Sequence, residues 1–104
     1  MSLKDHQKEV DEWAQQLKTP YWTPLSQLAR MIEEVGELAR IYNHKYGEKT
    51  KKSSEEPDDM EGEMGDILFD LICMANTEGI DLEQAFNKVM NKSRTRDKDR
   101  FEKK

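Results

Sequence analysis

Residues 67 to 75 read Ile-Leu-Phe-Asp-Leu-Ile-Cys-Met-Ala, an apolar stretch broken only by Asp70 in a 104-residue chain of which 38% is charged. A helix that is apolar on every side must be covered on every side. The rest of the chain supplies little cover, since hydrophobic residues make up only 35% of the whole sequence, this stretch included. A chain this short also buries only about 60–70% of its unfolded surface when it folds alone. Four short helices from one chain cannot easily enclose the stretch, so a homodimer or homotetramer is expected to share it. The stretch falls short of the ~20 residues needed to cross a bilayer, and no membrane partner is expected. The opening residues MSLKDHQKEV lack the apolar segment of a secretory signal. A single cysteine, Cys73, excludes an internal disulfide and any cysteine-based zinc site, and suits a reducing cytoplasm.

Helical periodicity runs through the remainder. Val10, Trp13, Ala14 and Leu17 recur at helical spacing, which predicts a first helix over 4–18, ended by Thr19-Pro20. Thr23-Pro24 opens a second helix, with threonine as cap and proline in the first turn, where its missing donor costs nothing. Leu28, Met31, Ile32, Val35, Leu38, Ala39, Tyr42 and Tyr46 form its apolar stripe, and Gly47 stops it. Residues 47–57 read as a mobile connection. Pro57, Asp58 and Asp59 suit the first turn of a third helix that Gly79 ends. Asp81 and Gln84 resemble a capping box for a fourth helix, with Leu82, Ala85, Phe86, Val89 and Met90 facing inward. No strand alternation or repeat is found. The expected fold is all-α, one four-helix domain over 1–104 with a basic tail over 94–104.

The formal charge is −5, from 22 acids against 17 bases, which argues against nucleic acid as a partner. The bases gather late: Lys88, Lys92, Arg94, Arg96, Lys98, Arg100, Lys103 and Lys104 face only Asp97, Asp99 and Glu102 in that span. The middle of the chain is acidic. Glu34 and Glu37 lie ~60° apart on the second helix, and Glu63, Asp66 and Asp70 fall within ~60° on the third. If the two helices pack together, their acid faces meet along one seam. Two carboxylates ~6 Å apart repel by about 3 kcal/mol at an effective dielectric of 20. Proton uptake or a cation must relieve several of them in a sheltered seam. Oxygen-only ligation suits Mg²⁺ or Mn²⁺. The alternative is that these acids are merely solvated faces. No Glu-x-x-His motif supports a di-iron bundle, and Asp58 to Gly62 lacks the ligand order of a calcium-binding EF-hand loop.

Glu33-Glu34-Val35-Gly36-Glu37, followed later by Glu63-Met64-Gly65-Asp66, resembles the EExxE…ExxD signature of MazG-like nucleotide pyrophosphohydrolases. The phrases EEVGELAR and GDILFDL strengthen the resemblance, which covers about residues 7 to 101 and points to the short single-domain branch. It implies a Mg²⁺-dependent enzyme that hydrolyses nucleoside triphosphates between the α and β phosphates, giving a monophosphate and pyrophosphate. It also implies a role in clearing noncanonical or excess nucleotides. Glu34, Glu37, Glu63 and Asp66 match the metal ligands, and Glu33 matches an acid that orients or deprotonates the attacking water. Lys92 and Arg94 are similar to the bases with which the family meets phosphates. The rival reading is a noncatalytic helical oligomer whose acids are solvated or bind a basic partner. A third is a hydrolase of the same fold acting on a regulatory polyphosphate nucleotide.

Other residues leave alternatives open. Asp70 is either an outer or third metal ligand or the partner of a base from another subunit. Gly36 marks a close approach of helix or ligand, or is simply tolerated at a cost of about 1 kcal/mol. Trp22, in the loop before the second helix, stacks on a base or closes a core edge. Trp13 is expected in the core, His6 and His44 on the surface, and Cys73 buried rather than nucleophilic.

Overall fold

A computed structural model of the chain describes residues 1–55 and 57–104. Four helices are found, α1 (Leu3–Ala14), α2 (Pro24–Tyr46), α3 (Met60–Glu78) and α4 (Leu82–Arg96), and no strand occurs among the described residues. Most of their ends are set by local chemistry. Ser2 and Asp5 form a reciprocal capping box at α1, unforeseen from the sequence. Those bonds hold the Asp5 carboxyl below its usual range. Asp59 caps α3 by accepting from the Gly62 N–H at 2.9 Å, and Asp81 caps α4 by accepting from the Gln84 N–H. Gly79 ends α3 in the left-handed conformation at φ 68°, where a side chain would be strained.

Three boundaries differ from the sequence reading. α1 stops at Ala14, because Gln16 and Leu17 donate only three residues back and the chain turns early. That turn lets the Tyr21 hydroxyl reach back to Asp11 Oδ1 at 2.7 Å. Thr23 occupies the cap position of α2, but its hydroxyl donates to Ser26 Oγ instead of accepting a backbone N–H. Pro57 and Asp58 precede α3 rather than entering its first turn. The expected connection over 47–57 includes position 56, which lies outside the described residues.

α2 packs along α3, α1 packs on α3, and α4 packs on α1. Contacts joining Gln27 to Thr77, Arg30 to Asp70 and His44 to Asp58 show that α2 and α3 run antiparallel. The buried apolar core is small: Ala14, Ile41, Ile72 and Ala75. Polar residues complete it. Gln7 donates to Asn76 Oδ1 and the Ile80 carbonyl and accepts from the Leu82 N–H, stitching α1 to the α3–α4 turn.

The apolar stretch is only partly covered by its own chain. Ile72 and Ala75 are buried, yet Leu68 and Leu71 remain 46% and 40% exposed. Phe86 and Val89, expected to face inward, are exposed instead because α4 meets only α1. Trp13 is likewise half exposed, edge-on to Phe69, rather than enclosed. His44 departs the other way: its side chain is 4% exposed, held between Glu55 and Asp58 at the end of α2.

Candidate metal centre and adjoining cavity

The seam between α2 and α3 brings three of the expected acids together. Glu34 from α2 and Glu63 and Asp66 from α3 offer carboxylate oxygens that lie within 4.8 Å of one another. Helical spacing explains the grouping, because i and i+3 put Glu63 and Asp66 on one face toward Glu34 across the seam. Such crowding of like charge demands relief. Glu63 finds it by holding a proton: a hydrogen bond with Glu34, then burial, then the charges of Glu34, Asp66 and Glu37 push its carboxyl up to about 7. One oxygen, Glu63 Oε2, is buried with no hydrogen-bond partner. A hard divalent cation fits this arrangement, since the donors are all oxygen and one of them is unsatisfied.

Glu37 acts on Glu63 through its charge but is ion-paired with Arg40. Glu33 is exposed one position before Glu34 and makes no ion pair among the described residues. Lys92 and Arg94 are exposed on α4, and neither pairs with the acids of the seam. Arg94 instead borders a shallow hollow with Ser93, Asp97 and Phe101. No intrachain approach accounts for Gly36, because a Cβ there would meet nothing within 4 Å.

The base that meets the acids is Arg30, which the sequence reading missed. Its Nε lies 3.4 Å from Asp70 Oδ1 and 3.9 Å from Glu34 Oε1, while its guanidinium sits over the Trp22 ring at 5.2 Å. Asp70 therefore pairs with a base of its own chain. Burial pushes its carboxyl up, and Arg30 opposes that push. The i, i+4 spacing of Arg30 and Glu34 was the available signal; the partner on α3 was not visible in the sequence.

Beside the seam lies a half-open cavity of about 130 Å³, whose walls include Trp13, Tyr21, Trp22 and Phe69, with Arg30 and Asp70 at its polar side. Trp22 thus stands where an aromatic ligand could stack. Cys73, expected to be buried, is only half-buried because it borders the cavity, and that partial burial still pushes its thiol up, which disfavours the thiolate a nucleophile requires. The Tyr21 hydroxyl, pushed up to about 12 by burial and its bond to Asp11, stays neutral.

Two long antiparallel helices thus oppose carboxylates beside an aromatic cavity in a chain that is all-α among the described residues, the architecture of a helical protein with the donor set for a hard cation. The chain belongs to the family of the MazG nucleotide pyrophosphohydrolase domain, whose sequence model matches residues 22–101. It is 52% identical over 103 residues to the protein YpjD of Bacillus subtilis, covering 99% of this chain and 93% of that one. A second B. subtilis protein, YvdC, is 28% identical over 89 residues, covering 80% and 84% of the two chains. The crystal structure of B. subtilis YpjD superposes with a TM-score of 0.80 at 50% identity, covering 91% of this chain and 97% of that one. The Bacillus-conserved MazG protein, described as a nucleotide pyrophosphohydrolase, gives a TM-score of 0.78 at 52% identity, with 95% and 96% coverage. No helix among the described residues is long and apolar enough to cross a membrane.

Proposed function

We propose that this chain hydrolyses nucleoside triphosphates between the α and β phosphates, releasing a monophosphate and pyrophosphate, with Mg²⁺ as the working ion and Mn²⁺ as a substitute. The observation that carries the reading is the convergence of Glu34, Glu63 and Asp66 with one buried oxygen unsatisfied. Those three acids would hold the ion, and Glu37, ion-paired with Arg40 on the same helix, would be a further ligand. Bound there, a divalent ion neutralises and orients phosphate oxygens and makes water a better nucleophile. The rest falls to side chains. Trp22 stacks on the base beside Arg30, placing the triphosphate along the seam. Glu33 accepts a proton as water adds to the α phosphorus, and its exposure lets that proton pass to solvent. The bond from the α phosphorus to the bridging oxygen breaks, and pyrophosphate leaves with that oxygen.

Lys92 and Arg94 steady the departing phosphates. Neither pairs with the seam acids of its own chain, so a homodimer or homotetramer is part of the reading, with α4 of a neighbour supplying the bases. Exposed Leu28, Ile32 and Val35 on α2 and Met64 and Leu68 on α3 give such an assembly apolar surface to bury. The cellular role would be cytoplasmic clearance of noncanonical or excess nucleotides. The test is incubation with canonical and modified triphosphates, with Mg²⁺ or with chelator, and separation of the products. Monophosphate plus pyrophosphate is expected, falling at least ~100-fold in Glu34→Gln and Glu63→Gln. Orthophosphate release, or inertness across the panel, would refute it.

A further inference from the structure

Resting on that reading, we infer that Asp70 selects the base, and that the preferred substrates are triphosphates of a pyrimidine carrying an exocyclic amino group. The cavity of about 130 Å³ is close to the ~150 Å³ that holds one benzene ring, so its enclosed part suits one six-membered ring rather than a fused pair. Trp22 and Trp13 give it aromatic walls. Its polar chemistry is largely committed elsewhere. The Tyr21 hydroxyl donates to Asp11, and the Gln27 amide donates to Thr77. Of the described residues that line it, only Asp70 leaves a buried side-chain polar atom without a hydrogen-bond partner. Its side chain is 6% exposed, Oδ1 lies against Arg30, and Oδ2 is buried with no partner.

A buried carboxylate oxygen without a donor calls for an N–H from the ligand. A 4-aminopyrimidine offers one at its outer edge, flanked by a C–H. A 4-oxopyrimidine offers carbonyl lone pairs there, and its ring N–H is set between two carbonyl oxygens that a carboxylate repels. Sites that hydrogen-bond a substrate N–H discriminate strongly against analogues lacking it. Arg30 fixes the arrangement by holding Oδ1 and covering the Trp22 ring.

The experiment measures kcat/KM with Mg²⁺ for CTP, UTP, ATP and GTP, on the wild-type chain and on Asp70→Asn. Wild type is expected to favour CTP over UTP by about 100-fold and over both purine nucleotides by a similar margin. In Asp70→Asn the CTP/UTP ratio should fall to within about threefold of unity, because an amide both donates and accepts. Equal turnover of CTP and UTP by wild type, a preference for purines, or a ratio unmoved by Asp70→Asn would overturn the inference. Binding of the free nucleosides cytidine and uridine, followed by tryptophan fluorescence without metal, separates two failures. Cytidine preferred but no triphosphate cleaved would sink the proposed reaction and leave Asp70 standing. Cleavage with no base preference would do the reverse. If Asp70→Asn fails to fold, as circular dichroism would reveal, the wild-type cytidine/uridine binding ratio decides.

Discussion

Glu63 is where charge repulsion is most concentrated. Its carboxyl, held near 7 against an ordinary 4.5, binds more protons in the folded chain than in the unfolded one between those values. Stability of the metal-free protein therefore falls as pH rises from about 4.5 to 7 and levels off above. Asp70, also pushed up, adds a contribution of the same sign. In thermal denaturation with chelator, the midpoint should be lower at pH 8 than at pH 5.5. Mg²⁺ or Mn²⁺ should remove most of that difference, and Glu63→Gln should flatten it. A midpoint that rises with pH in the chelated protein would contradict this account. Gln7 poses a different residue-scale test. Gln7→Leu keeps the volume but strands the Leu82 N–H, the Ile80 carbonyl and Asn76, so a loss of about 2–3 kcal/mol is expected in urea denaturation.

Helix ends were the most legible part of the sequence, and the reason is range. Pro24, Asp59, Gly79 and Asp81 act on backbone groups within a few residues, so composition alone locates them. The acid pairs were legible for the same reason, since i, i+3 spacing fixes a face before any packing occurs. Gln7, Gln27, Arg30 and His44 were not, because each takes its role from a partner on another element or across the connection. His44 reads as an ordinary surface histidine in the sequence, but its Nδ1 hydrogen-bonds Asp58 at 3.2 Å, and Glu55 Oε2 lies 3.2 Å from its Nε2 without a hydrogen bond. That clasp fastens the connection to the end of α2. His44→Ala should speed tryptic cleavage at Lys49, Lys51 and Lys52 by about fivefold while helix content stays unchanged. Cleavage at the wild-type rate would show that the clasp bears no part of the segment's order.

At the scale of the molecule, the chain is spread out. Its radius of gyration is 17.4 Å, against about 13 Å for a compact domain of this length. Its accessible surface is 8442 Å², whereas a monomer of 12.3 kDa is expected to expose about 6,100 Å². The excess is of the size that an obligate homodimer interface covers. Size-exclusion chromatography with light scattering should return a dimer or tetramer mass, and Val89→Lys, at an exposed apolar site on α4, should shift it toward the single chain. A wild-type monomer would remove the reason for assigning Lys92 and Arg94 to a neighbour's phosphates. The four side chains that make up the buried apolar core carry one more implication. With so little holding a lone chain together, the proposed assembly would make folding and association one equilibrium governed by mass action, and the melting temperature should then climb with protein concentration.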